Sequence, residues 1–173
     1  QKILRNSSSR INVFFDTSDG GQIRIVGEDG SNITHLDLGS TSFNADTTSW
    51  HHVVASWDLS DPDKRHFYLD EVNDENLVDY TIHTNGNIEY SAAFWQVGGT
   101  NTSSEMLDGA LSDFWFDADT YIDLSIEGNR RKFIDNGHAQ YLGVNGELVT
   151  GEVPDIFLSN QTATWQNNNG TGG

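Results

Sequence analysis

The sequence predicts an all-β fold, two antiparallel sheets packed as a β-sandwich, with one short helix within residues 125–135. Three observations predict it. Gly, Asn and Asp pairs that accept positive φ recur at short intervals, at Asp19-Gly20-Gly21, Asp29-Gly30, Asn85-Gly86, Gly98-Gly99, Asp108-Gly109, Asn136-Gly137 and Asn145-Gly146. Between them lie short runs rich in β-branched and aromatic residues. Within Gln22–Val26, Ile23 and Ile25 alternate with Gln22, Arg24 and Val26, the period of a half-buried strand.

The expected strands, in order, are Ile11–Phe15, Gln22–Val26, Ile33–Leu38, His51–Trp57, Arg65–Leu69, Ala93–Val97 and Ala110–Phe116, with Ile3–Arg5 also strand-like. Alternation puts Val53, Ala55, Trp57, Phe67, Leu69, Val97, Leu111, Phe114 and Phe116 in the core, given a bulge near Ser112-Asp113. The character changes at Asp123–Asp135. Ser125 can cap a helix, Ile126, Arg130, Phe133 and Ile134 share a helical face, and Arg130, Arg131 and Lys132 suit its C-terminal end. Residues 1–166 read as one domain. Residues 167–173, without an apolar side chain, read as a linker or frayed end.

Charge excludes several functions. Nine Lys and Arg against 26 Asp and Glu give a formal net charge of −17. Phosphate contacts need a basic surface, so nucleic acid and anionic membranes are not expected partners. No apolar run is long enough to span a bilayer. With no cysteine there are no disulfides, thiolate metal sites or cysteine nucleophiles.

Four motifs carry a resemblance. Trp50-His51-His52-Val53-Val54-Ala55-Ser56-Trp57-Asp58 is followed by Arg65-His66-Phe67-Tyr68-Leu69-Asp70, then Phe94-Trp95-Gln96-Val97-Gly98-Gly99, then Leu107–Phe116. In this order they resemble the laminin-G-like, concanavalin A-like group, whose patterns are "WHHVA", "LYVDG", "xxIGG" and "FDGxIDExRI". The resemblance implies a jelly-roll sandwich. Glu71 departs from it, standing where the group usually has Gly. The stretch from Asp113 through Tyr121–Ser125, Arg130–Ile134 and Asn145–Gly151 is similar to a variant among bacteriophage structural proteins. Set against the group, the chain looks like an excerpt whose first and last strands lie outside it, with unpaired edges expected around Ile3 and Trp165.

Glucanases share the concanavalin A-like fold, but they need two carboxylates about 5–5.5 Å apart. No strand carries the Glu-x-Asp-x-(x)-Glu spacing, and Glu71-Val72-Asn73-Asp74-Glu75 reads as a solvated loop. There is no Gly-x-Ser-x-Gly elbow, so no catalytic site is expected. His51 and His52 are adjacent and point to opposite faces of a strand, which reads as framework and not as a chelate. No cofactor is expected apart from calcium, which many relatives in the group bind. Its candidate ligands are Asp16, Asp19, Asp58, Asp61 and Asp108. Tyr68, Phe94 and Trp115 face outward as ligand or interface candidates, the alternative being that they cover the Tyr121–Ile134 segment. The resemblance therefore implies a non-enzymatic structural, decoration or adhesion domain of a phage-like virion. Its partners are other virion or surface proteins, a second copy, or a glycan. The alternative is a carbohydrate-binding lectin module of a secreted or cell-surface protein.

Overall fold

The structure is a computed structural model that describes residues 1–16, 21–41, 49–100, 105–159 and 167–171. It is all-β, and among the described residues every strand pair is antiparallel and there is a single helical turn. The chain divides into two compact units, Gln1–Gly109 and Ala110–Gly173.

In the first unit, β1 (Lys2–Asn6), β2 (Ile11–Asp16), β3 (Gln22–Glu28), β4 (Thr34–Gly39) and β8 (Trp95–Val97) form one sheet, in the order β4-β3-β2-β1-β8. A second sheet joins β5 (Val53–Trp57), β6 (Arg65–Leu69) and β7 (Val72–Asn73). Ile11, Val13 and Phe15 stand opposite Gly27, Ile25 and Ile23 across β2 and β3, so the alternation expected at Gln22–Val26 lines up one apolar face. Ile11, Ile23, Ile25, Leu36 and Leu38 from the larger sheet meet Phe67 of β6 and Ile88 in one cluster, with Ala55, Trp57 and Leu69 packed against it. Both sheets therefore contribute to the same core. The strand around Ile3 is an inner one, paired with β2 and β8. Trp165 lies outside the described residues.

Val53 shares the face of Ala55 and Trp57, as expected, but it is exposed. It stands at the start of β5, opposite Leu69 at the end of β6, so it falls at the rim of the core. Along β4, the segment 82–84 closes the outer edge. Asp37 N–H donates to Ile82 O at 2.8 Å and Thr84 N–H to His35 O at 2.9 Å, around a bridge between Leu36 and His83.

Polar groups fix the turns. Asn6, fully buried, accepts from the N–H of Arg10 at 2.8 Å and donates to Glu89 O at 3.0 Å. Asp29 accepts from the N–H of Ser31 and of Ile33, at 2.8 and 3.0 Å, which closes the β3–β4 connection at the expected Asp-Gly turn. A buried arginine sits among them. Arg65 of β6 pairs with Glu75 and donates to Tyr80 O at 2.5 Å, while the Tyr80 hydroxyl donates to Gln22 on β3.

In the second unit, β9 (Phe114–Phe116) pairs with β12 (Ile156–Leu158), and β10 (Ile134–Asp135) with β11 (His138–Ala139). The helix α1 covers only Glu127–Arg130. Its N-cap is Ile126, not Ser125, because the Ser125 hydroxyl is spent on Asp123 Oδ1 at 2.5 Å. The expected helical face also ends early. Asn136 and Gly137 have φ of +52° and +75°, the geometry of a two-residue type I′ hairpin, so Ile134 starts a strand instead of ending a helix. The strand expected over Ala110–Phe116 is confined to its last three residues, since Asp113 at φ +52° breaks the extended run. Residues 167–171 are tied down. The Asn168 side chain accepts from Phe157 N–H and donates to Asp155 O, both at 2.9 Å, and Thr171 N–H donates to Pro154 O at 2.8 Å.

Replacing Glu75 with Ala leaves the Arg65 guanidinium buried without its counter-charge, which destabilises by about 3–5 kcal/mol. Urea unfolding followed by tryptophan fluorescence reads this directly. A loss under about 1 kcal/mol would show the pair to be dispensable.

Candidate functional site

The histidine motif is built around one carboxylate. Asp70 Oδ2 accepts from His51 Nδ1–H at 2.7 Å, Oδ1 accepts from the His52 backbone N–H at 2.8 Å, and Asp70 N–H returns a bond to His52 O at 2.9 Å. This closes the start of β5 onto the end of β6. Burial pushes the His52 imidazole below its ordinary pKa of 6.5, against the opposing pull of the Asp70 and Glu71 carboxylates. Asp70 and Glu71 form the two-residue turn into β7, with φ of +48° and +69°. Asp tolerates that conformation through its short polar side chain. Glu does not, which is the physical reason a glycine suits this position.

The calcium candidates do not gather. Asp58 Oδ1 accepts from the Ser60 hydroxyl and N–H, at 2.7 and 3.0 Å, and Oδ2 from Lys64 Nζ at 2.9 Å. These bonds hold its carboxyl down at about 2. Asp61 Oδ1 accepts from Asp63 N–H at 3.1 Å, a turn of the same kind. Asp16 ends β2 opposite Gln22, Asp108 is exposed near the end of the first unit, and Asp19 lies outside the described residues. Among the described residues no three His, Asp or Glu side chains come together as a cation cage.

Asp29, His35 and Thr84 stand in a row, with Nε2–Oδ2 3.2 Å and Nδ1–Oγ1 3.0 Å, in the order of a nucleophile relay. The other Asp29 oxygen closes its turn, and the Thr84 amide is committed to His35 O. The row therefore fastens residues 82–84 to β4 and offers no Thr84 amide to a developing oxyanion.

Of the three aromatic candidates, one is presented to solvent. Tyr68 lies on the face of β6 opposite Phe67 but is 8 % exposed, so its expected outward position is corrected. Trp115 is half-buried. Its indole N–H donates to Gly146 O at 3.1 Å, and its ring meets Phe133 edge-on at 5.6 Å. The alternative reading, packing beneath the Tyr121–Ile134 segment, describes this contact. Its partner across β9–β12 is Phe157, fully buried, so the Trp115 face is covered as well. Phe94 is 51 % exposed, and its neighbours hold it in place: Ser7 N–H donates to Phe94 O at 2.9 Å, and Ala93 N–H donates to Ser7 Oγ at 3.1 Å.

Sequence reasoning missed a groove of about 280 Å³ in the second unit, lined by Asp113, Gln140, Tyr141, Leu142, Phe157 and Ser159. Asp113 lies in its wall, with Ser159 Oγ donating to one oxygen at 2.6 Å and Ser112 Oγ to the other at 2.8 Å. Tyr141 is 72 % exposed. The Ser112-Asp113 bulge was the available signal. The strand Ile156–Leu158 that completes the groove lacks an alternating pattern, because all three of its side chains are buried.

Comparison with protein-family models, with curated proteins and with solved structures returns no match for the chain.

Two outcomes follow from these contacts. Glu71→Gly relieves the left-handed strain, about 1–2 kcal/mol, against a glycine entropy cost of about 0.5–1, so stability rises by up to about 1.5 kcal/mol in urea unfolding. Lowered stability would place the strain elsewhere. The Asp58 carboxyl is depressed from 3.8 to about 2, so its contribution is present above 3.8 and is lost as pH falls toward 2. In acid titrations monitored by circular dichroism, Asp58→Asn is less stable than wild type near neutrality, and the gap closes across that window. A constant gap would show that the effect is not ionic.

Proposed function

We propose that the chain is a non-enzymatic structural, decoration or adhesion domain of a bacteriophage-like virion, contacting protein partners through exposed side chains on a rigid β framework. The observation that carries the reading is Phe94, a large exposed aromatic whose backbone is tied to Ser7 by a bond from the Ser7 N–H, and its neighbour Ala93 by a bond to the Ser7 hydroxyl. Exposed aromatics on a restrained backbone supply contact area at low entropic cost and dominate interface energies. The order of the four motifs across Trp50–Phe116 supports a concanavalin A-like jelly roll. The shared core of the two sheets in the first unit is consistent with it. The partners in this reading are other virion or surface proteins, or a second copy of the chain.

A second reading, a carbohydrate-binding lectin module of a secreted or cell-surface protein, draws on the groove. An exposed Tyr141 ring beside Gln140, Asp113 and Ser159 offers a stacking face and hydrogen-bonding groups to a sugar.

Co-sedimentation with phage-like particles tests the first reading. Phe94→Ser weakens binding by about 30-fold, the ~2 kcal/mol typical of an aromatic hot spot, with the melting temperature unchanged. Undiminished binding overturns the role of Phe94. A glycan array with and without Ca²⁺ separates the two readings: specific retention abolished by Tyr141→Ala supports the lectin, and no retention supports the structural module.

A further inference from the structure

The side chains of Lys2, Asn12 and Glu105 converge on the face of the five-stranded sheet opposite the core cluster, from three separate stretches of chain. Lys2 stands opposite Phe14 across β1 and β2, and Asn12 lies two residues from Phe14 on that face. Lys2 Nζ is 3.3 Å from Asn12 Oδ1, 3.9 Å from Glu105 Oε1 and 4.6 Å from the centre of the Phe14 ring. The Lys2 side chain is only 19 % exposed. Backbone bonds set the arrangement, since Lys2 N–H donates to Glu105 O at 3.1 Å. Asn12 Nδ2 donates to Ser9 O at 2.8 Å, which turns the amide carbonyl toward the lysine.

We propose that Lys2 and Asn12 form an intramolecular isopeptide cross-link between β1 and β2, with Glu105 as the proton carrier. An amine, a carboxamide and a carboxylate able to carry the proton between them are the groups such a bond requires. The neutral Lys2 amine attacks Asn12 Cγ, and Glu105 takes a proton from Nζ and delivers it to Nδ2. The C–N bond to Nδ2 then breaks, ammonia leaves, and a secondary amide joins Nζ to Cγ. No oxidant or cofactor enters the balance.

Burial lowers the Lys2 pKa, opposed by Glu105 and assisted by Arg5, so the reactive neutral amine is more accessible than on a surface lysine. Arg5 Nη1 lies 3.6 Å from Glu105 Oε2, which keeps that carboxylate in place while its other oxygen faces Lys2. The bond would close the first hairpin covalently at a point where the register slips between Lys2 and Leu4. A chain without cysteine has no disulfide to do so.

Peptide mapping of the purified chain tests the proposal. After incubation at mildly alkaline pH and tryptic digestion, residues 1–5, uncut after Lys2, appear joined to residues 11–24, lighter than the two peptides together by one ammonia. The branched peptide is lost in Lys2→Arg, and its formation slows at least tenfold in Glu105→Gln. A wild-type digest containing only the separate peptides overturns the proposal. So does ammonia loss confined to Gln1 or to the Asn-Gly pairs, which cyclise without joining two peptides. Formation at an unchanged rate in Glu105→Gln removes Glu105 from the mechanism and overturns it in the form given.

Discussion

The pairing of Arg65 with Glu75 is the constraint on which the first unit turns. A guanidinium in a low-dielectric interior costs several kcal/mol unless a counter-charge and further acceptors surround it. Here Glu75 supplies the charge and the Tyr80 carbonyl a further acceptor. Both come from the segment that leaves β7 and returns along β4, where Glu75 bridges Ser40 and Asn76 N–H donates to Gly39 O. Satisfying one arginine on β6 therefore places a connection against the edge of the other sheet. The Tyr80 ring lies against Gly39, where a β-carbon would collide with it, and its hydroxyl reaches Gln22 on β3. The apolar cluster provides the driving force, and this polar hub fixes which sheet edges meet.

The same economy runs through the acidic residues. A chain at −17 would be expected to repel itself, yet many of its carboxylates are engaged locally. Asp29, Asp58, Asp61 and Asp123 each accept from a backbone N–H in a turn, Asp70 accepts from the His52 N–H at the start of β5, and Asp37 takes a bidentate bond from Arg24 at 2.7 and 2.6 Å. A turn carboxylate replaces a missing backbone acceptor, and at Asp29 and Asp58 these bonds hold the carboxyl below its ordinary pKa. The acidity is thus partly the chemistry of short connections. Of the five calcium candidates, Asp58 and Asp61 belong to this class.

The first unit was more legible in the sequence than the second because its strands are half-buried. Ile23 and Ile25 alternate with Gln22 and Arg24, and the structure buries them as that pattern requires. β6 spans Arg65–Leu69 as its run of aromatic residues predicts, although Phe67 and Tyr68 on its two faces are both buried. Ile156-Phe157-Leu158 is covered on both faces, so it carries no period, and it was missed. Short hairpins hide differently. Asn136-Gly137 forms the tight hairpin turn its composition predicts, but it joins two strands instead of following a helix, and it takes Ile134 with it. The tail at 167–171 is polar in composition, yet Asn168 bonds like a strand backbone through its side chain, which no hydropathy pattern can signal. Tyr68 and Trp115 show the limit of face assignment. Alternation says which way a side chain points, and only the tertiary fold says whether that side is covered.

The segment 82–84 along β4 has a consequence for how the protein fails. An open β4 would present a row of unpaired donors and acceptors, a template on which a second molecule could extend the sheet and seed a fibre. The chain's own backbone occupies that template at Asp37, His35 and Leu36, and the Asp29–His35–Thr84 row latches it shut. Aggregation through this edge therefore begins with the release of one short flap while the rest of the sheet stays native. The barrier to it is set by a few hydrogen bonds and one imidazole, not by the stability of the core.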